Sequence, residues 1–237
     1  MKLLSPPRIS PEEKCPYIES KLARHEFFLA SELSEEELEV CLSKGYRKFG
    51  IYYFRPSCLN CFDCVPIRTR VDLFKPNKSQ KRILKKNKDL EIKYRTLTFK
   101  EEIFELYKLH SKERFNYSDE KIESREEFIQ THFTPSAPGM VVEYWLKDKL
   151  LAVGFIDISD ESISSVYFIY HPDYKDRGLG IFGALKEIEY CKALSKKYYY
   201  LGYFVKENNF MNYKDQFRPF ELYDWKKENW NLHEERI

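Results

Sequence analysis

Residues 140–205 place the tightest limit on how this chain can fold. Three strand-like segments, 140–146, 150–158 and 163–170, are separated by the polar turns Lys147-Asp148-Lys149 and Ser159-Asp160-Glu161-Ser162, and so predict an antiparallel meander. A turn ending in Gly178-Leu179-Gly180 follows, then a helix over about 181–197 with Ile181, Leu185, Ile188 and Cys191 on one stripe, then an aromatic strand over 198–205. A helix N-terminus offers unpaired N–H groups and the positive end of its dipole, and glycines there let a phosphate approach the backbone closely. This order predicts an α+β unit whose glycine turn can face an anionic substrate.

The second constraint lies upstream, in Pro56-Ser57-Cys58-Leu59-Asn60-Cys61-Phe62-Asp63-Cys64-Val65-Pro66. Half of the chain's six cysteines fall within seven positions, at a spacing that lets thiolates converge on one soft ion or cluster. Cys15, beside Pro16 and Tyr17, stands apart near the N-terminus. Cys41 and Cys191 fall on apolar helical stripes and read as core residues, as does His110, which has no Cys or His at ligand spacing.

Between these landmarks the pattern is coarser. Residues 1–14 are polar and proline-rich and read as irregular. Ser34-Glu35-Glu36-Glu37 and Thr98-Phe99-Lys100-Glu101 each read as a helix-opening capping box, and residues 46–53 as one strand running into the cysteine loop. Ile67, Thr69 and Val71 alternate with Arg68 and Arg70 in a half-buried strand, and Asn77 or Ser79 can cap a basic helix through Leu90. A boundary near residue 96 divides a smaller cysteine-containing part, 1–95, from a larger part, 96–237. The tail beyond 205 shows no clear period.

Charge is unevenly spread. From Lys75 to Lys93 eight cationic residues face only Asp89 and Glu91, a local balance of +6 on a chain whose net charge is +2. A focused basic patch suits phosphate binding; a solvated helix face is the plain alternative. No stretch approaches the roughly 20 apolar residues of a membrane span, and no leader-like apolar run opens the chain, so a cytoplasmic protein without a membrane partner is expected.

The meander, glycine turn and strand resemble the GNAT (N-acyltransferase) fold, with Lys175 in the first slot of its Arg/Gln-x-x-Gly-x-Gly/Ala signature. A narrower resemblance covers most of the chain. Tyr46-Arg47-Lys48-Phe49-Gly50, then Tyr53-x-Arg55-Pro56-x-Cys58-x-x-Cys61-x-x-Cys64-x-Pro66-x-Arg68, then Phe74-x-Pro76-Asn77-x-Ser79-Gln80-Lys81-Arg82 look like the N-terminal signature of the aminoacyl-tRNA–protein transferases. Leu201-Gly202-Tyr203 and Met211-x-Tyr213-Lys214-x-x-Phe217-x-Pro219 match in the other half.

That resemblance implies a GNAT-like C-terminal domain behind a smaller cysteine-containing N-terminal domain. It implies transfer of an aminoacyl group, leucine by pattern, from charged tRNA to the α-amine of proteins that begin with Asp or Glu, as in the N-degron pathway. Arginyl-tRNA as donor is the first alternative, an acyl-coenzyme A-dependent N-acyltransferase the second, and a non-catalytic metal-dependent RNA-binding module the third. The reaction is aminolysis of an activated ester and requires no cofactor. Tyr167 and Tyr203 are candidate proton relays, backbone N–H groups near 166–168 candidate oxyanion donors, and Tyr170 and Tyr174 candidate stacking partners for the terminal adenine. Gly178 and Gly180 would admit the tRNA end, and Arg55, Arg68, Arg82 or Lys214 would bind the acidic N-terminal residue or tRNA phosphate. Cys15 with Cys58, Cys61 and Cys64 would form a four-thiolate set for zinc or an iron–sulfur cluster, a staple rather than the transfer centre.

Overall fold

Residues 1–235 are described by a computed structural model. In chain order the elements are β1 (Lys2–Ile9), β2 (Glu13–Lys14), β3 (Leu22–Ala23), β4 (His25–Glu32), α1 (Glu35–Ser43), β5 (Arg47–Phe49), β6 (Tyr52–Pro56), β7 (Val65–Arg70), α2 (Lys78–Lys86), β8 (Glu91–Thr96), α3 (Glu101–Phe115), α4 (Arg125–His132), β9 (Gly139–Leu146), β10 (Lys149–Ile158), β11 (Ser162–Tyr170), α5 (Leu179–Ala193), β12 (Tyr198–Phe204), β13 (Phe220–Asp224) and β14 (Asn229–His233). A four-stranded sheet has the order β1-β4-β6-β5, and an eight-stranded sheet the order β14-β13-β7-β12-β11-β10-β9-β8.

The larger sheet carries the fold. Alternate residues of its central strands feed two cores, as the period of two requires. Val142, Tyr144 and Ile156 pack with Phe182, Leu185 and Ile188 of α5. Val141, Val153, Phe155 and Ile169 pack with Ile103, Leu106 and Phe128 of α3 and α4. Cys41 and Cys191 are buried on their stripes, and His110 is buried with its ring edge against Tyr170, all as expected. A third core joins α1 to the smaller sheet through Phe28, Leu38 and Tyr53. No helix among the described residues is long and apolar enough to cross a membrane.

Several local expectations are corrected. Residues 1–14 are not irregular throughout, since β1 pairs antiparallel with β4. Residues 46–53 are not one strand: the chain reverses between β5 and β6 at Gly50, where φ is 52° and an added Cβ would come within 2.3 Å of the Gln130 carbonyl oxygen. The Ser34–Glu37 capping box forms, but Thr98 does not cap α3, because the helix starts at Glu101 and so lacks the three-residue offset a box needs. A box not anticipated, Ser124 with Glu127, opens α4. Asn77, not Ser79, caps α2. The tail supplies β13 and β14.

The division at residue 95 passes through the larger sheet. β7 lies between β12 and β13, and β8 pairs with β9, so both sides of that boundary build one layer.

Two departures from regular pairing shape the centre of this layer. β11 and β12 run parallel, but their register holds only from Ser162–Ser164 to Tyr198–Tyr200, after which the strands part. On the other side of β11, Phe155 aligns with Tyr167 and Ile156 with Ser165, leaving Val166 as the extra residue of a bulge.

Candidate active site

Where β11 and β12 separate, a wedge opens between them. It is a cavity of about 90 Å³ lined by Ser165, Phe168 and Tyr170 of β11, Tyr199 and Leu201 of β12, Gly180 and Ala184 of α5, Arg114 of α3, and Tyr213. Each strand keeps its outer neighbour, β10 for β11 and β7 for β12, so the gap stays open without leaving whole strands unpaired. α5 begins at the rim: Gly178 caps it in the left-handed region, no side chain caps its first amides, and Gly180 faces open space.

A part-buried cation and a buried carboxyl flank the fork. Arg47 of β5 reaches across from the smaller sheet, donating to Ser164 Oγ at 2.8 Å and to the Ser165 carbonyl oxygen. Behind the wedge lies Glu187 of α5, fully buried, its Oε2 accepting from Tyr199 Oη at 2.6 Å. Burial pushes its carboxyl up to about 7, although hydrogen bonds from Tyr199 and Ser165 oppose the rise. Gly154 makes room for it, since a Cβ there would lie 2.4 Å from Glu187 Oε1.

The expected site residues divide between this region and others. Gly180 lines the wedge, and Tyr170 lines it with its phenol oxygen accepting from Arg114 at 3.0 Å. Tyr174 instead packs edge-on against His171. Tyr167 projects to the opposite face of the sheet, stacked on His132 with ring centroids 5.1 Å apart. Tyr203 is buried and donates to the carbonyl oxygens of Gly45 and Phe54 at 3.0 and 3.4 Å, which ties the two sheets together. Neither phenol lines the wedge.

The cationic candidates also separate. Arg68 is buried between the rings of Tyr198 and Trp230, donating to Glu221 at 2.6 Å and to Tyr200 Oη at 2.8 Å, so internal contacts occupy its guanidinium. Arg55 pairs with Glu26 at 2.9 Å on the smaller sheet. Lys214 is buried and donates to the Tyr203 carbonyl oxygen at 2.7 Å, its ammonium pulled down to about 7 by burial and then by Arg47. Arg82 is exposed on α2, in line with Lys78, Lys81 and Lys85. Arg114, Arg47 and Glu187 are given no role by the sequence. For Glu187 a signal existed, a carboxylate among Ala184, Leu185, Ile188 and Cys191, and for Arg47 its place in a matched motif; where Arg47 and Arg114 reach only the folded chain shows.

The four cysteines do share a place. Cys15, Cys58, Cys61 and Cys64 all line one cavity of about 100 Å³, with Tyr17, Phe54 and Tyr203. Cys64 has its thiol pushed up to about 12, first by burial and then by Cys15, Cys58 and Cys61. Lys21 pairs with Asp63 beside Cys61. Among the described residues, no three His, Cys, Asp or Glu side chains converge closely enough to hold a single ion.

Comparison with known proteins supplies the family. The family model for the arginine-tRNA-protein transferase N terminus matches residues 13–82, and that for the C terminus residues 102–224. An aspartate/glutamate leucyltransferase of Leptospira interrogans is 35% identical over 90% of this chain and 85% of its own length. The protein of that name from Pseudomonas savastanoi is 37% identical over 88% and 89%, and the one from Marinobacter nauticus 33% over 90% of each. Among solved structures, the C-terminal domain of a putative lysylphosphatidylglycerol synthetase from Agrobacterium fabrum aligns with 71% of this chain and 51% of its own, at 9% identity and a TM-score of 0.47. The two matched stretches together make this chain a member of the arginine-tRNA-protein transferase family, an enzyme that takes its aminoacyl group from charged tRNA and gives it to a protein.

Proposed function

We propose that the chain transfers leucine from leucyl-tRNA to the α-amine of proteins whose first residue is Asp or Glu. The observation that carries this reading is the lining of the wedge. Phe168, Ala184 and Leu201 give it an apolar wall beside the hydroxyls of Ser165, Tyr170, Tyr199 and Tyr213, Arg114 brings a cation, and among the described residues no Asp or Glu lines it. An arginyl side chain would need a facing carboxylate, and Glu187 is sealed behind Tyr199. Apolar walls suit a branched aliphatic group instead.

The parting of parallel β11 and β12, with the β10–β11 bulge beside it, supports reading the larger sheet as a GNAT-like acyl-transfer layer. In the reaction the uncharged amine attacks the ester carbonyl, a C–N bond forms and the C–O bond to the ribose breaks. The amine proton finishes on the ribose hydroxyl. Val166, displaced from the β10 register, is our candidate for a backbone oxyanion donor. The exposed cations of α2 are the surface we assign to tRNA phosphates. A reaction that consumes charged tRNA and exposes new N-termini suits the cytoplasm and the N-degron pathway.

We also read the four thiols around one cavity as a site for zinc or an iron–sulfur cluster, since four soft donors face a common space. To hold either group the four thiols would have to turn inward from the positions they take here. Bound there, it would cross-link the N-terminal segment to the loop before β7. Anaerobically purified protein should carry zinc or iron, lost on Cys58→Ser with Cys64→Ser; metal-free protein with four freely titrating thiols would refute this.

One assay tests the transfer itself. Reporters beginning with Asp, Glu or Ala are incubated with the protein and with tRNA charged with labelled leucine or arginine. Ribonuclease-sensitive labelling of the acidic reporters from leucyl-tRNA is expected. Preferential labelling from arginyl-tRNA would overturn the donor assignment, and labelling only from acyl-coenzyme A would overturn the tRNA dependence.

A further inference from the structure

Beside Arg114, on the wall of the wedge, lies a set of exposed aromatic rings close to one another. Phe115 and Tyr117, at the end of α3, are 37% and 41% exposed, and Phe210, in the loop after β12, is 53% exposed. The Phe115 ring lies 5.4 Å from Tyr117 and 6.4 Å from Phe210, centroid to centroid. Single exposed apolar residues need no explanation, but a cluster assembled from two separate segments does.

Arg114 joins this cluster to the cavity. Its guanidinium carbon sits 5.2 Å from the Phe210 ring centre, its Nη1 donates to Tyr170 Oη, and its side chain lines the wedge. Its contacts among the described residues are to aromatic rings and a phenol, and none of them is an ion pair with a carboxylate.

Unpaired nucleotides are recognised by stacking on aromatic rings and guanidinium planes, with cations taking the intervening phosphates. In an aminoacyl-tRNA the aminoacyl group is esterified to the terminal ribose. An aminoacyl group seated in the wedge therefore places the terminal base, and the unpaired nucleotides before it, immediately outside the mouth. We propose that Phe115, Tyr117 and Phe210, with Arg114, form the stacking platform for the single-stranded 3′ end of the aminoacyl-tRNA. The placement rests on the reading that the wedge receives the aminoacyl group. It gives the stacking role to rings at the rim, whereas Tyr170 is held by Arg114 and His110 inside it.

The test uses the full-length chain with Tyr117→Ala, Phe210→Ala, the double variant, Phe210→Leu and Phe210→Trp. Binding is measured for whole tRNA, for tRNA lacking its unpaired 3′ nucleotides, and for a short single-stranded oligoribonucleotide ending in the tRNA 3′ sequence. Each alanine change should weaken whole-tRNA and oligonucleotide binding roughly 5- to 100-fold, the range for loss of one stacked base. Phe210→Leu should behave like alanine, and Phe210→Trp should restore binding. The truncated tRNA should bind all variants alike, and the slope of affinity against salt should not change, because stacking releases no counterions. Equal binding of whole tRNA to wild type and double variant, or an equal loss with truncated tRNA, would overturn the proposal. Ala184→Leu separates the two readings. If filling the wedge leaves leucyl transfer unchanged while the platform variants still lose 3′-end binding, the aminoacyl pocket lies elsewhere and the platform stands.

Discussion

Glu187 keeps a carboxyl in the middle of an apolar layer, and its effect on stability has a definite sign. Its ordinary value is 4.5 and its folded value is raised to about 7 by burial. The folded state therefore holds a proton that the unfolded chain releases at lower pH. The stabilisation is complete below about 4.5 and is lost as pH rises through 7. At about 1.4 kcal/mol per pH unit, the wild type should lose on the order of 3 kcal/mol across that window relative to Glu187→Gln, whose amide can still meet Tyr199. Urea titrations of both proteins between pH 4.5 and 8 measure it, and parallel pH dependences would contradict the assignment. Arg68 gives the opposite case, a charge already paired. Arg68→Ala leaves Glu221 buried with only Arg70, 3.5 Å away, to face it, so a loss of about 3 kcal/mol is expected in urea unfolding. An unchanged midpoint would return Arg68 to the candidates for substrate binding.

At the scale of elements, α2 and α5 divide the work of holding the donor. α2 presents Lys78, Lys81, Arg82 and Lys85 to solvent, and Lys86 bonds the Asp176 carbonyl next to the turn that opens α5. Replacing Lys78, Lys81, Arg82 and Lys85 by Gln should weaken tRNA binding at low salt and reduce the log–log salt slope by about 3. Filter-binding titrations from 50 to 200 mM salt check this, and an unchanged slope would make the basic run an ordinary solvated face. The contrast with the platform variants, which should leave the slope alone, separates ionic from stacking contributions.

Strands β9 to β12 and helix α5 could be read from the chain because each has a strong local period and a turn signal at its end. β1 could not, since Pro6 and Pro7 interrupt a strand that is almost wholly exposed and carries no alternation. Of the wedge, the sequence offered Gly180, Tyr170, the stretch 166–168 and the motif residues Leu201 and Tyr213, without showing that they meet. Its walls come from α3, β11, α5, β12 and Tyr213, far apart in sequence, and no local pattern encodes such a meeting. Tyr203 misled for a related reason: a matched motif marks a residue that matters, and here what its phenol holds is the junction between sheets.

At the scale of the whole molecule that junction decides how the chain folds. Lys48 and Asp157 form a buried ion pair at 3.1 Å, Arg47 reaches Ser164, Tyr53 shares a hydrogen with Ser136 at 2.9 Å, and Tyr200 donates to Glu39 of α1 at 3.2 Å. Each links the smaller sheet or its helix to the larger sheet or, for Ser136, to the loop that leads into β9, and each would leave a buried polar group unpaired if the parts separated. β7 goes further. It supplies the strand between β12 and β13, so a chain beginning at residue 96 would break the larger sheet in its interior and expose two unprotected edges. The full chain is therefore expected to unfold in one transition, with tryptophan fluorescence and far-ultraviolet circular dichroism giving the same midpoint. The 96–237 fragment should show no cooperative melt and should aggregate. Two separated transitions in the full chain, or a fragment that melts cooperatively as a monomer, would show that residues 1–95 and 96–237 are independent domains after all, and that the larger part folds without Arg47 at the fork.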